Sequence, residues 1–315
     1  MEASGAMVGV SGVTDGGGWK NGLPVALRSR AVRARLGERG DGEAGGVPVL
    51  LTHPSEGWWE TGERVEAAPV VLWFHGRTVS KELDPGRYLR WSRMGVAACA
   101  VDLPGHGERE VETMQGAEST LRVAEQAAGE IAGGCVPLRG GGGGGGVGGG
   151  GGAIGGRGAG GMVTLIRLTG AGGTRYAAGG GEGVFAGAVI EASAGDFRVM
   201  EGHDFFVRER VERLNPIDHL DRVTDVVPLL AVHSALDAWV PASGMTGFVE
   251  ALGERYATLG GSADDARVHL WEETGAPHEH MGFGRRTNET KQMENAFVAA
   301  RLGVDVPGAG AGAGR

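Results

Sequence analysis

Apolar residues along this chain come in short unbroken runs, separated by longer mixed segments in which apolar positions recur every three or four residues. Residues 69–74, 96–101, 184–192, 228–233 and 268–271 are runs of the first kind. Such runs suit strands covered on both faces of a parallel sheet. Residues 88–94, 119–131, 162–168, 247–259 and 289–302 carry the helical spacing. In 119–131, Leu121, Val123, Ala124, Ala127, Ala128 and Ile131 make one apolar face. Strand and helix alternate from residue 69 onward, which predicts an α/β domain with a doubly wound, mostly parallel sheet. Upstream, 25–32 and 47–52 read as an opening antiparallel pair.

The rhythm breaks in the middle of the chain. Of 315 residues 63 are glycine, many of them in one tract that carries too few side chains to build a packed element. The strand expected ahead of Gly156 is reduced to Ala153 and Ile154. The layout that follows has four parts. Residues 1–22 are expected to be a disordered N-terminus and 23–304 one domain. Within it lie a glycine-rich insertion at about 139–161 and a small, more polar helical cap at about 203–223. Residues 305–315 read as a flexible tail.

Charge and cysteine content narrow the setting. With 39 acidic and 30 basic residues, a net charge of −9 argues against a nucleic-acid partner. No run approaches a membrane span and no charged start leads into an apolar stretch, so a cytoplasmic protein is expected. Cys99 and Cys135 do not make a disulfide framework. Cys99, inside an apolar run, reads as a core residue.

In sheets of this kind reactive groups gather at the carboxyl ends of the strands. Four segments follow predicted strands. His75-Gly76-Arg77-Thr78 offers a glycine step that can turn a backbone N–H toward a developing oxyanion. Asp102 and His106 lie in a Pro-Gly loop, where the structural reading outweighs the catalytic one. Asp237, in the loop 234–241, can hold an imidazole or simply cap a turn. The loop 274–284 supplies His278 and His280. A His-x-His step also suggests a metal pair, but no second ligand cluster accompanies it, so neither metal nor cofactor is expected. Gly156-x-Gly158-x-x-Gly161 matches a dinucleotide fingerprint literally; in a segment this rich in glycine such a match arises by chance, and dinucleotide binding is a remote alternative.

Taken in chain order, the turn Gly156-Arg157-Gly158-Ala159-Gly160-Gly161, then Asp237, then His280 resemble the α/β-hydrolases, the serine esterases, lipases and dienelactone-hydrolase-like enzymes, from about residue 69 to 302. The resemblance implies that Asp237 is the triad acid and His280 the base, with His278 the alternative. It implies an oxyanion hole from backbone N–H groups at Gly76, Arg77 and Ala159, and a nucleophile at position 158. This chain has Gly158 where the pattern has serine. Ser193 and Cys135 fit the nucleophile turn poorly. The implied chemistry is hydrolysis of an ester or related acyl bond in a small molecule, impaired because glycine has no atom to attack with. The alternative is a non-catalytic protein of the same fold that binds a small ligand or a partner.

Overall fold

The computed structural model describes residues 11–14, 17–36, 46–59, 66–132, 152–174 and 185–307. Its strands are β1 (Ser11–Thr14), β2 (Ala31–Leu36), β3 (Val47–Thr52), β4 (Val70–Phe74), β5 (Ala97–Val101), β6 (Ala153–Arg157), β7 (Gly187–Glu191), β8 (Leu229–Ser234) and β9 (Ala266–Trp271). They form one sheet in the order β1-β2-β3-β5-β4-β6-β7-β8-β9. The first three are antiparallel, β3 meets β5 antiparallel, and the six from β5 to β9 are parallel. The helices are α1 (Val25–Arg28), α2 (Pro85–Arg93), α3 (Thr120–Ala132), α4 (Ala159–Thr169), α5 (Arg208–Leu214), α6 (Ser243–Thr258) and α7 (Thr287–Leu302).

The unbroken apolar runs have a simple cause. Alternate residues of a strand point to opposite faces, and both faces of this sheet are covered. Val70, Leu72 and Phe74 of β4 join a core that includes Leu121 of α3, Leu165 of α4 and Phe248 of α6. Val71 and Trp73 join a second core with Trp91 of α2 and Val298 of α7. Cys99 is buried in β5. Cys135 lies outside the described residues. Among the described residues no helix is long and apolar enough to cross a membrane.

Several elements depart from the sequence reading. Residues 25–28 make one helical turn after Pro24, closed by Arg28 Nε donating to the Leu23 carbonyl at 3.1 Å, and the strand starts only at Ala31. Within the stretch expected to be disordered, Ser11–Thr14 pairs with β2 and Gly18–Gly22 forms a 3-10 turn. The Trp19 ring fixes that turn from beneath the Arg33 guanidinium, 4.9 Å away. Of the expected glycine-rich insertion, 139–151 lie outside the described residues, while 153–161 form β6 and the first turn of α4. Residues 203–223, read as a cap, comprise α5 and a 3-10 stretch over Pro216–Arg222. Val211 and Leu214 are buried there, Arg210 pairs with Glu125 of α3 at 2.7 Å, and Arg222 Nη1 donates to Gly170 O, beyond the end of α4, at 2.9 Å.

The chain runs from β4 to β5 in one direction across the sheet, then from β6 to β9 in the other. The carboxyl ends of β4 and β6 therefore flank a topological switch point, where open α/β sheets place their ligand crevice.

Candidate active site

The turn between β6 and α4 is a single residue. Gly158 has φ 53° and ψ −118°, a backbone conformation that side-chain-bearing residues rarely adopt. The glycines around it are set by close approach. A Cβ on Gly155 would lie 2.5 Å from Val189 O, and one on Gly156 2.4 Å from the Gly160 carbonyl carbon. On Gly160 it would lie 2.2 Å from Phe74 O, and on Gly161 2.6 Å from Ser193 Cβ. Strand, turn and helix are thus pressed together more tightly than any larger residue allows. This explains both the missing apolar signal in β6 and the literal dinucleotide fingerprint. A Cβ on Gly158 meets no such obstacle: among the described residues, its chain neighbours aside, it finds within 4 Å only His280 Nε2, at 3.7 Å, and Ala192 O, at 4.0 Å.

His280 stands between that position and Asp237. Its Nδ1 lies 2.8 Å from Asp237 Oδ2, so a proton on Nδ1 leaves Nε2 facing Gly158. The Asp237 side chain is fully buried. Its Oδ1 accepts from Trp239 N at 2.9 Å and Val240 N at 2.8 Å. His233, inside β8, brings Nε2 within 3.2 Å of Oδ2 and 2.9 Å of Val240 O. Burial pushes the Asp237 carboxyl up, but hydrogen bonds from His233 and His280, the charge of His280 and the Val240 N–H together hold it well below the usual carboxylate range. An ionised carboxylate that orients one imidazole is the result.

The loop carrying His280 is fastened on two sides. Glu279 accepts from Ser234 Oγ at 2.6 Å, from Thr274 N and Oγ1 at 2.7 Å each, and from Gly275 N at 2.7 Å. Slight burial pushes its carboxyl up, but these donors dominate and bring it down to about 2. Arg157, the last residue of β6, donates from Nη2 to the His280 carbonyl at 2.7 Å. His278 and Glu279 both take positive φ, 55° and 52°. That turn sends His278 outward, where its exposed ring stacks on Trp239 at 4.6 Å between centroids, while His280 faces Asp237.

The other sequence candidates make separate contacts. Gly76 follows β4 with its Cα beside Arg157: a Cβ there would lie 3.6 Å from Arg157 O. His75 Nε2 accepts from Leu103 N at 3.0 Å, so its Nδ1 carries the proton and donates to Gly76 O at 2.6 Å. Arg77 directs its guanidinium to Thr120 Oγ1 at 2.9 Å and the Met114 carbonyl at 3.2 Å. Ala159 opens α4, where the helix dipole and the first amides favour negative charge. Ser193 is buried beneath the turn and donates from Oγ to the Gly158 carbonyl at 2.9 Å. Asp102 is a buried partner of Lys81 Nζ at 2.6 Å and of Glu108 N at 3.0 Å, and His106 Nδ1 contacts Pro104 O at 2.8 Å. Among the described residues no group of three His, Cys, Asp or Glu is placed to hold a metal ion. Sequence reasoning missed His233, Glu279, Arg157 and Trp239. For His233 a signal existed, since it precedes Asp237 by four residues at a strand end; the others act through folded contacts alone.

No protein-family model and no curated protein matches the sequence. Solved structures do. A puromycin-hydrolysing peptidase of Mycobacterium tuberculosis is 20% identical with a TM-score of 0.58, over 90% of this chain and 41% of that one. An acylaminoacyl peptidase of Pyrococcus horikoshii is 16% identical with a TM-score of 0.56, over 87% of this chain and 41% of that one. This chain thus spans less than half the length of either peptidase. A thermophilic esterase of the planctomycete Thermogutta terrifontis is 15% identical with a TM-score of 0.52, over 84% of this chain and 92% of that one. With a mostly parallel sheet that reverses direction at β4 and β6, a one-residue turn into α4, and an acid and a histidine on the loops after β8 and β9, the chain has the α/β-hydrolase fold.

Proposed function

We propose that this protein is an acyl-bond hydrolase in framework, with the Asp237–His280 pair and the oxyanion-binding turn retained and its own nucleophile missing at Gly158. The observation that carries the reading is the alignment of three groups. Asp237 Oδ2 is 2.8 Å from His280 Nδ1, and His280 Nε2 is 3.7 Å from where a residue-158 Cβ would stand. A serine hydroxyl on that Cβ would fall within hydrogen-bond reach of Nε2, the arrangement by which an imidazole activates a nucleophile. The Ala159 amide, with a backbone N–H at Gly76 or Arg77, would receive the oxygen of the tetrahedral intermediate. Leu236, Trp239 and Met281 are exposed on the two loops that carry Asp237 and His280, which favours an apolar acyl or aromatic group on the substrate.

A fluorophosphonate probe and p-nitrophenyl butyrate test the reading. The native chain is expected to stay unlabelled, and Gly158→Ser to be labelled at residue 158 and to turn over the ester, with activity abolished by Asp237→Ala in the same background. Labelling of the native chain, or a folded Gly158→Ser protein inert to both reagents, would overturn it.

A further inference from the structure

The space beside Gly158 raises the question of what His280 can act on. Replacing a serine side chain by hydrogen removes two heavy atoms, a CH2 and an oxygen, from a position that among the described residues, its own chain neighbours aside, has His280 Nε2 and Ala192 O within 4 Å. Both are acceptors when His280 carries its proton on Nδ1, the tautomer that its 2.8 Å contact with Asp237 favours. The position a serine side chain would fill is therefore flanked by two acceptors and suits a small molecule that donates hydrogen bonds. The neighbouring Ala159 amide opens α4 and supplies a donor suited to negative charge.

We propose that the site performs acyl transfer to a small external nucleophile seated beside Gly158, water in the simplest case and a two-atom hydroxyl or amine compound at best. This rests on the acyl-hydrolase reading above and names the reactant that replaces the missing side chain. The nucleophile gives its proton to His280 Nε2 while its lone pair forms a bond to the acyl carbon, and the carbonyl oxygen becomes the oxyanion. Collapse of that intermediate breaks the ester C–O bond. The proton on Nε2 then passes to the departing alkoxide, or to solvent when the leaving group departs as a stable phenolate. Asp237 stays ionised throughout and balances the imidazolium.

Hydroxylamine, with two heavy atoms and donors at both ends, is the probe. The native chain, p-nitrophenyl butyrate and increasing hydroxylamine should yield butyrohydroxamate with saturation in hydroxylamine. General-base assistance predicts a rate roughly 100-fold above that of His280→Ala at equal protein concentration. Gly158→Ala keeps the acid and base but puts a methyl group into the space, so its rate should fall to the His280→Ala level. Asp237→Asn, which leaves position 158 untouched, should fall likewise and serves if the alanine variant does not fold. A native rate equal to that of His280→Ala overturns the proposal, as does a folded Gly158→Ala protein that retains the native rate. If Gly158→Ser hydrolyses the ester while the native chain makes no hydroxamate above His280→Ala, this inference fails and the acyl-hydrolase reading stands. Silence from both removes the two together.

Discussion

Asp237 is the group on which the site's geometry bears most directly, and removing it has a calculable effect. Its side chain is fully buried and receives N–H groups from Trp239, Val240 and His280 at 2.8–2.9 Å, with His233 at 3.2 Å. Asp237→Ala leaves the buried Val240 N–H without its acceptor, while His233 keeps Val240 O and the partly exposed His280 can turn to solvent. An orphaned buried donor costs about 1–3 kcal/mol and the lost charged contacts add to it, so a loss of about 2–4 kcal/mol is expected at pH 7. In a chain of this size that corresponds to a fall in Tm on the order of 5 °C. Asp237→Asn keeps the volume and the acceptor for the two backbone groups, and should cost about 1 kcal/mol. The two variants also differ from the native chain in acid. A carboxyl held low in the folded state contributes stability that is fully present above the unfolded value, near pH 4, and is lost as pH falls toward the depressed folded value. The gap between native and Asp237→Asn proteins should therefore shrink as pH falls below about 4. Comparing variants cancels the other low-lying carboxyls, Asp84, Asp102 and Glu279. Urea denaturation at a series of pH values measures it. Equal stability of all three proteins at pH 7, or a gap that widens in acid, would refute the buried, ionised Asp237 described above.

Two further substitutions probe the surroundings. Ser193→Ala removes a 2.9 Å hydrogen bond to Gly158 O, which still accepts from Met162 N at 3.1 Å, so it should cost only about 1 kcal/mol and leave reactivity toward fluorophosphonate unchanged. Were the native chain labelled, loss of that label in Ser193→Ala would make Ser193 the nucleophile. Glu279→Gln puts an amide NH2 against at least one of four donors, so the 274–283 loop should exchange amide hydrogens faster. The Glu279 carboxylate contributes stability above about pH 4.5 that disappears as pH falls toward 2, and the glutamine variant should lack that component. Hydrogen exchange at pH 7 and melting curves from pH 3 to 6 check both, and unchanged loop protection would argue against the clasp.

The parallel strands were legible because β4 and β5 are buried on both faces and carry no polar residue, and β8 opens with four apolar residues before His233 and Ser234. The order of turn, acid and histidine was legible because it lies in chain sequence. β6 was not: Gly155 and Gly156 sit where Val189, Trp73 and Gly160 leave no room for a Cβ, so contact demands residues that carry no hydrophobic signal. The N-terminal strand was hidden for a related reason, since its four residues gain their order from β2 rather than from any pattern of their own. Two histidines spaced by one residue were indistinguishable along the chain. Their separation depends on positive φ at His278 and Glu279, which no local rule assigns to those residue types. Glu279 and His233 matter through partners 45 and four residues away, respectively, and only folding brings the first pair together.

The shape of the turn does not require a nucleophile. It is enforced by Gly156 and Gly160 against each other, by Gly160 against Phe74 O, and by Gly161 against Ser193, all of which hold whatever stands at 158. Residue 158 must accept φ 53° and ψ −118° in any case. A serine there bears strain of about 1–3 kcal/mol, which glycine relieves. Stability and acyl chemistry therefore pull residue 158 in opposite directions, a trade-off found where a strained group does the work. Gly158→Ser is expected to lower stability by about 1–3 kcal/mol in urea denaturation while raising ester turnover by several orders of magnitude. The opposite signs are the discriminating feature. A variant that gains activity with no loss of stability would mean that the turn relaxes around serine, and that the strain argument fails. A variant that loses stability without gaining activity would mean that His280 and position 158 are neighbours without being partners.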